Sequence, residues 1–465
     1  MFNFIRDIIN KVVFSRKKKQ IYSLSEVFTT SGVPKLTFVE RNGIQKKLSE
    51  VDKNKNHAVL FLGYSKSGKT VYRKKYFDNY KYKCVYRCGS DSTINALYKS
   101  IVYELNIPRK NAVQANQGME VYGELKSRMG APVAAIEAKT GVKANIATGQ
   151  THKYADIDID VNYICNNITD KDDTVIILED YHSVDENFNK RFSEDLKHFI
   201  DEGILFVIIG IPSSPERYFK YNPDLAGRSI RINFDYLSKS EIIEIIKKGE
   251  EHLNVKFTDQ TIAEIIKFSM KNAYLVQSIC LEILELSKIA ETQRINSTIS
   301  DLGIVNKACA SLANKLNEEY ISIINIIRAG ARAQRKGTVF NQYDEIIKAI
   351  RKTPIETLEQ GLSHTEIARM TWESFSPEFI NQCIENKIYR NEVSFRSSAQ
   401  TLITNALVQL NDNFVKAKAR KIFYINDKKL YLNDIIFKFY LDWLGYSETE
   451  KNQEENNKVE AGISA

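Results

Sequence analysis

Residues Gly63–Thr70 read GYSKSGKT and fit the pattern G-x-x-x-x-G-K-[ST]. The apolar run HAVLFL leads into this stretch and the helical pattern TVYRKKYF leads out of it. The pattern therefore lies on a strand-to-helix turn, the setting in which it cradles phosphate. Gly63 and Gly68 let the backbone curl, so that the amides of Tyr64, Ser65, Lys66 and Ser67 turn toward phosphate oxygens. The new helix adds its positive end. Lys69 is placed to set its ammonium against the β- and γ-phosphates, and the Thr70 hydroxyl to enter a Mg²⁺ shell. The expected ligands are ATP and Mg²⁺.

A strand that feeds such a loop belongs to a parallel sheet. Five β-rich runs alternate with helical patterns: His57–Leu62, Lys83–Arg87, Thr174–Leu178, Leu205–Ile209 and Ser229–Phe234. The intervening helices are expected to begin near Lys69, Ser92, Asp156 and Asn187. Strands as apolar as TVIIL and LFVIIG suit a sheet covered on both faces. After Phe234 the pattern becomes helical. Ser238 and Glu241 form a capping-box signal at the head of SKSEIIEIIKKGEEHL. Further helices are expected over Thr258–Phe268, Tyr274–Lys288 and about Ile304–Gly330.

With 465 residues and 43% apolar content, the chain has material for two to four domains. The expected division is an N-terminal amphipathic helix and linker (1–35), an α/β core (36–236), a helical lid (237–335), a winged-helix domain (336–446) and a disordered tail (447–465). An Ala- and Gly-rich insertion at about 118–150 interrupts the core. Within it, APVAAIEAKTGVKANIAT reads as a projecting hairpin that turns at Lys139-Thr140-Gly141, for oligomerisation, partner capture or plain decoration.

The formal charge of +8, from 66 basic and 58 acidic residues, permits contact with nucleic acid or acidic lipid without demanding it. The six cysteines show neither metal-ligand spacing nor a disulfide framework, which points to a reduced, cytoplasmic compartment. No uncharged apolar run is long enough to span a membrane. Phe2, Ile5, Ile9, Val12 and Val13 share a helical face ahead of the cationic block Arg16–Lys19. That face either docks on protein or makes peripheral membrane contact with anionic lipid. No cleavage site follows it, so a signal peptide is not expected.

The run TVIILEDYH supplies carboxylates at a strand end, Glu179 and Asp180. Glu179 is assigned to the metal side and Asp180 to activation of the attacking water. Asp201 and Glu202 precede a strand and so lie at the opposite edge. A further strand between the two motif strands marks the additional-strand class of these folds. His182 either steers a water or packs behind the carboxylates.

With GYSKSGKT, TVIILEDYH, VIIGIPSSPERY, AGRSIRINFDYLSKSEIIEII and KNAYLVQSICLEIL, the chain resembles the AAA+/STAND superfamily over about residues 36 to 290, and within it prokaryotic ATPases of the origin-recognition and archaeal-ATPase type. The resemblance implies several roles. Ser213 or Ser214 would be the polar sensor beside the γ-phosphate, unless they cap the helix that follows. Arg228, and less directly Arg217, would be the arginine finger, unless Arg228 pairs with Asp224. TFVERN would pack on adenine through Val39 and Arg41. Two features depart from the AAA+ pattern. The lid helix carries Tyr274 and Gln277 where a sensing arginine is usual, and Arg228 is not in the most familiar finger context. Both favour a switch, with a closed ADP form and an assembled ATP form, over a motor.

The C-terminal block fits a winged helix. Helices are expected over Tyr343–Arg351, His364–Trp372 and Ser397–Leu410, two strands around Asn426-Asp427, and a closing helix in DIIFKFYLDWLG. In one reading the helix after Arg396 enters a major groove of double-stranded DNA while Lys416, Lys418, Arg420 and Lys421 contact phosphates. In the other, the module docks protein. The expected function is an ATP-hydrolysing switch acting on an unidentified protein partner or by homo-oligomerisation, with bacterial defence as a setting the resemblance suggests. The alternatives are a DNA-binding, replication-initiator-like ATPase and a membrane-recruited scaffold.

Overall fold

The computed structural model describes residues 20–53, 56–108, 159–211, 220–234, 236–301, 303–328, 339–417 and 422–444. The N-terminal amphipathic segment, the 118–150 insertion and the tail lie outside them. In chain order the first half contains α1 (Leu24–Val27), α2 (Asn42–Lys53), β1 (Ala58–Leu62), α3 (Lys69–Phe77), β2 (Tyr82–Arg87), α4 (Ile94–Glu104) and α5 (Val161–Asn167). It continues through β3 (Thr174–Glu179), α6 (Glu186–Asp201), β4 (Leu205–Gly210) and β5 (Ser229–Asn233).

The five strands form one parallel sheet in the order β2-β3-β4-β1-β5. β4 thus lies between β1, which feeds the phosphate loop, and β3, which ends in the carboxylates. This is the additional-strand class expected, but the strand between them is β4 and not β2, which lies between the two motifs in sequence and at the edge of the sheet. Alternation along β1 sends Ala58, Leu60 and Leu62 into a core shared with α4, α5 and α6. Val59 and Phe61 enter a second core shared with α2 and α3. Both faces are covered, which is why β1 and β4 are buried along their whole length. The helix expected near Asp156 is described from Val161, because the Asp160 side chain caps it by accepting from the Tyr163 amide at 2.7 Å.

The second half opens with α7 (Lys239–Leu253), where the capping box of Ser238 and Glu241 forms as expected. There follow β6 (Val255–Phe257), α8 (Asp259–Phe268), α9 (Ala273–Leu286) and β7 (Ser297–Ile299). The single helix expected over 304–330 is two, α10 (Gly303–Lys315) and α11 (Asn317–Arg328). The chain bends at buried Leu316, whose amide is shared between the Leu312 and Ala313 carbonyls. The bend brings Tyr320 to Asp434, with its hydroxyl donating to the carboxylate at 2.9 Å.

The C-terminal block comprises α12 (Gln342–Lys352), α13 (Ile355–Gln360), β8 (Leu362–Ser363), α14 (His364–Glu373), α15 (Pro377–Glu385), α16 (Glu392–Lys416), β9 (Phe423–Asn426), β10 (Lys429–Leu432) and α17 (Ile435–Trp443). Its antiparallel sheet runs β8-β10-β9. Asp427 and Lys428 form the two-residue turn with φ of 47° and 60°, the left-handed pair such hairpins favour. α16 is longer than the expected Ser397–Leu410. Phe395, Ala399, Ile403, Ala406, Leu410 and Phe414 give it a buried stripe along its whole length. Arg396 therefore lies inside this helix, not ahead of it. The lid and this block share one continuous apolar core, with α17 buried at its centre.

One contact ties the segment before the core to the lid. α1 packs under α7 and α9, and the Phe28 ring fills the space above Gly249, where an added Cβ would stand 2.1 Å from a ring carbon. Gly249→Ala in a helix normally gains about 1 kcal/mol. Here we expect a net loss of about 1–3 kcal/mol from overpacking, read as a lower thermal midpoint; an unchanged or raised midpoint contradicts this packing.

Candidate functional site

The loop after β1 is built by close approach. An added Cβ on Gly63 would sit 2.7 Å from Phe234 Cβ and 2.9 Å from its carbonyl oxygen, so only glycine fits. Phe234 in turn donates its amide to the Leu62 carbonyl at 2.6 Å. Lys66 and Gly68 adopt left-handed backbone, with φ of 59° and 99°, and this curls the chain. Gly68 stands at the N-cap of α3 with no side-chain cap, so the first amides of the helix remain donors at the loop. Lys69 is the first residue of α3, and its ammonium donates to the carbonyls of Gly63 and Tyr64. Burial lowers its pKa to about 7, opposed by the charge of Asp180. The Lys66 ammonium lies 3.9 Å from the centre of the Tyr274 ring on α9.

A cavity of about 470 Å³ opens in front of this loop. Ser65–Thr70 line it. The strap before the core, from Thr29 through Pro34, Thr37, Phe38 and Val39 to Arg41, also lines it, together with Ile245 of α7 and Ala273, Tyr274 and Gln277 of α9. Val39 and Arg41, expected on adenine, both border it. The Arg41 guanidinium is engaged with the Tyr236 carbonyl at 3.0 Å and lies 3.9 Å from Glu241. Gln277, which stands where a sensing arginine is usual, and Thr37, the first residue of TFVERN, both border the cavity; sequence reasoning missed that they bond to each other.

At the end of β3 the chain turns through Asp180, which has φ of 55°. Glu179 receives the guanidinium of buried Arg73 at 3.1 Å, and Arg73 also holds Asp78 at 2.9 Å. Arg87 stands opposite Glu179 in the β2–β3 register and lies 3.4 Å from Asp180. The two carboxylates thus sit among three cations. Asp180 is half exposed and its field reaches Lys69, while Glu179 is mostly covered. Among the described residues no cluster of three or more His, Cys, Asp or Glu could hold an ion unaided. Mg²⁺ fits the oxygen donors Thr70, Glu179 and Asp180, because it takes one or two carboxylates and completes its shell with phosphate and water.

Other sequence candidates are placed elsewhere. Asp201 and Glu202 lie at the far edge of the sheet, as expected, on Arg228 and Lys171. Arg228 pairs with Asp201 and not with Asp224, which Lys197 on α6 takes at 2.8 Å. Ser213, Ser214 and Arg217 lie outside the described residues, as do Lys418, Arg420 and Lys421. Lys416 is exposed at the end of α16. Arg396 pairs with Glu392 and lies over the Trp372 ring. All six cysteines are buried and free. Among the described residues no helix is long and apolar enough to cross a membrane.

The C-terminal block reaches the phosphate loop. The Ser65 amide donates to the Asn433 carbonyl at 3.5 Å, just before α17. Tyr236 stacks on Tyr64 of the loop, with ring centres 6.3 Å apart, and its hydroxyl donates to Glu359 on α13.

Two predictions follow from the charges. The folded pKa of Lys69 lies below its unfolded value of 10.5, so the unfolded state binds more protons between about pH 7 and 10.5 and stability rises with pH across that window. Lys69→Met should therefore raise the melting temperature near pH 7, by a margin that shrinks toward pH 10; a margin independent of pH contradicts the buried ammonium. Arg73→Met leaves Glu179 with only the exposed Arg87 guanidinium at 4.0 Å and should cost about 3 kcal/mol in urea denaturation. Arg73→Met with Glu179→Gln should recover most of it, and a double variant as unstable as the single one rules the pairing out.

No protein-family model and no curated protein matches the sequence. Among solved structures, the chain is similar to a Walker-type ATPase of Pyrococcus abyssi at 13% identity and a TM-score of 0.44, over 89% of this chain and 99% of that one. It is also similar to Cdc6p from Pyrobaculum aerophilum, at 13% identity and a TM-score of 0.38 over 91% and 98% of the two chains. A third is the Thermotoga maritima RuvB Holliday junction branch migration motor, at 13% identity and a TM-score of 0.34 over 86% and 94%. The geometry of the chain itself gives the fold: an α/β P-loop core of the additional-strand class, carrying a helical lid and a C-terminal block of helices and a small sheet.

Proposed function

We propose that this chain is a Mg²⁺-dependent ATPase of the AAA+/STAND kind that works as a switch, changing its assembly or its protein partner with nucleotide state. The observation that carries this reading is the direct contact between the phosphate loop and the C-terminal block, through Ser65 and Asn433 and through Tyr64, Tyr236 and Glu359. A change at the loop has a short path into a module that shares its core with the lid.

In this account Lys69 holds the β- and γ-phosphates, and the loop amides other than those of Ser65 and Ser67, which bond to Asn433 and Tyr64, bind their oxygens. Thr70 and Glu179 hold Mg²⁺, which offsets the negative charge of the phosphates. Asp180, the more exposed carboxylate, orients the attacking water. Arg73 holds the Glu179 carboxylate in place. Ser213 serves as the polar sensor, and Arg228 acts on a neighbouring copy after exchanging Asp201 for phosphate. Strap and lid exclude water from the base.

The second reading, a replication-initiator-like ATPase on double-stranded DNA, draws on the winged-helix-like order of elements in the C-terminal block. Set against it, Arg396 on the exposed face of α16 is already paired with Glu392.

Hydrolysis and solution mass, measured together for wild type, Lys69→Ala and Asp180→Asn with and without duplex DNA, separate the two. We expect hydrolysis that both substitutions abolish and ATP-dependent assembly that Asp180→Asn traps, indifferent to DNA. A chain that neither hydrolyses ATP nor changes mass contradicts the proposal. Hydrolysis or assembly that rises with DNA replaces it with the second reading.

A further inference from the structure

We infer that Thr37 and Gln277 select the base, and that the site takes a 6-aminopurine and rejects a 6-oxopurine. The inference rests on the nucleotide reading of the cavity given above. Away from the loop, the cavity wall is largely apolar, with Val33, Pro34, Phe38, Val39, Leu237 and Ile245. Thr29, Thr30 and buried Arg41 also border it, Arg41 with its guanidinium on the Tyr236 carbonyl, and Thr37 and Gln277 form a hydrogen-bonded buried pair, 1% and 4% exposed. Buried polar groups in an apolar wall orient whatever fills it.

The hydrogen bonds fix which end of the Gln277 amide is which. The Thr37 hydroxyl has one proton and lies 2.9 Å from the Val27 carbonyl, a group that only accepts. That proton is therefore given to Val27, and the Thr37 oxygen is left to accept. Gln277 Nε2 lies 2.8 Å from it and donates. The amide oxygen lies 3.2 Å from the same hydroxyl, but a bond there would need the proton already given to Val27. With the hydroxyl proton spent on Val27, Nε2 is bonded to Thr37 and Oε1 is left without a donor, on a side chain that lines the cavity. Without the bond to Thr37, an amide could rotate and offer a donor instead.

An acceptor in that place is matched by an exocyclic amine and opposed by a carbonyl oxygen. Adenine presents the amine at its sixth position; guanine and hypoxanthine present the oxygen. Gln277 is then the specificity-determining side chain, and Thr37 is a positioning residue that acts through it.

The test is equilibrium binding of ATP and ITP, which differ only in the group at the sixth position and the proton on the adjacent nitrogen, followed by titration calorimetry. Wild type should prefer ATP by about tenfold or more, the scale of one hydrogen bond made against one opposed. Gln277→Met should bring the two affinities within about threefold. Thr37→Val, which frees the amide to rotate, should do the same, and Thr37→Ser, which keeps the proton, should restore the preference. A merely structural role for Thr37 would lower both affinities together and leave their ratio unchanged, which overturns the inference. Wild type that binds ATP and ITP equally also overturns it, and leaves the nucleotide site standing. Failure to bind ATP at all overturns both.

Discussion

The tight contact between Gly63 and Phe234 is the constraint on which the rest of the site depends. It presses the start of the phosphate loop against the chain leaving β5, at a separation that excludes even a methyl group. From that point the chain 234–237 serves as a junction. Phe234 bonds back to β1, Tyr236 stacks on the loop and accepts from Arg41 of the strap, and Leu237 borders the cavity. The Tyr236 hydroxyl then reaches Glu359 in the C-terminal block. Core, strap, lid and C-terminal block thus meet within a few residues of the loop.

Charge placement follows from the same geometry. Gathering the C-terminal ends of parallel strands beside a helix N-terminus brings carboxylates and cations together where water is partly excluded. Lys69 loses hydration and its pKa falls to about 7, so its ammonium is costly there until phosphate oxygens surround it. Glu179 is held by Arg73 from inside the sheet layer, while Asp180 turns outward on a left-handed residue. Two adjacent carboxylates therefore differ in exposure and in partners. One is fixed, and the other is free to face solvent.

The parts of this arrangement governed by local rules were legible in the sequence. The octapeptide between strand and helix, the five apolar runs and the Ser238–Glu241 box are set by neighbours a few residues away, and the sheet has the additional strand expected, although β4 and not β2 supplies it. What the sequence did not disclose depends on distant partners. β8 has two residues and exists only because β10 pairs with it. The bend at Leu316 reflects the reach of Tyr320 to Asp434, over a hundred residues away. The partner of Arg228 was misjudged because Asp201 and Asp224 are both within chain reach, and only the fold shows that Lys197 occupies the second. Arg73 on Glu179, and Thr37 on Gln277, join elements far apart in the chain; no periodicity marks such pairs.

The claim at the centre of this account is that the strap and the lid helix, together with the phosphate loop, enclose one bound nucleotide. Photolabelling with 8-azido-ATP, followed by peptide mapping, tests it most directly. The account predicts a label in the strap between Thr29 and Arg41 or in α9 around Tyr274 and Gln277, displaced by ATP and absent from Lys69→Ala. A label that ATP does not displace, or one confined to peptides that do not border the cavity, would contradict it.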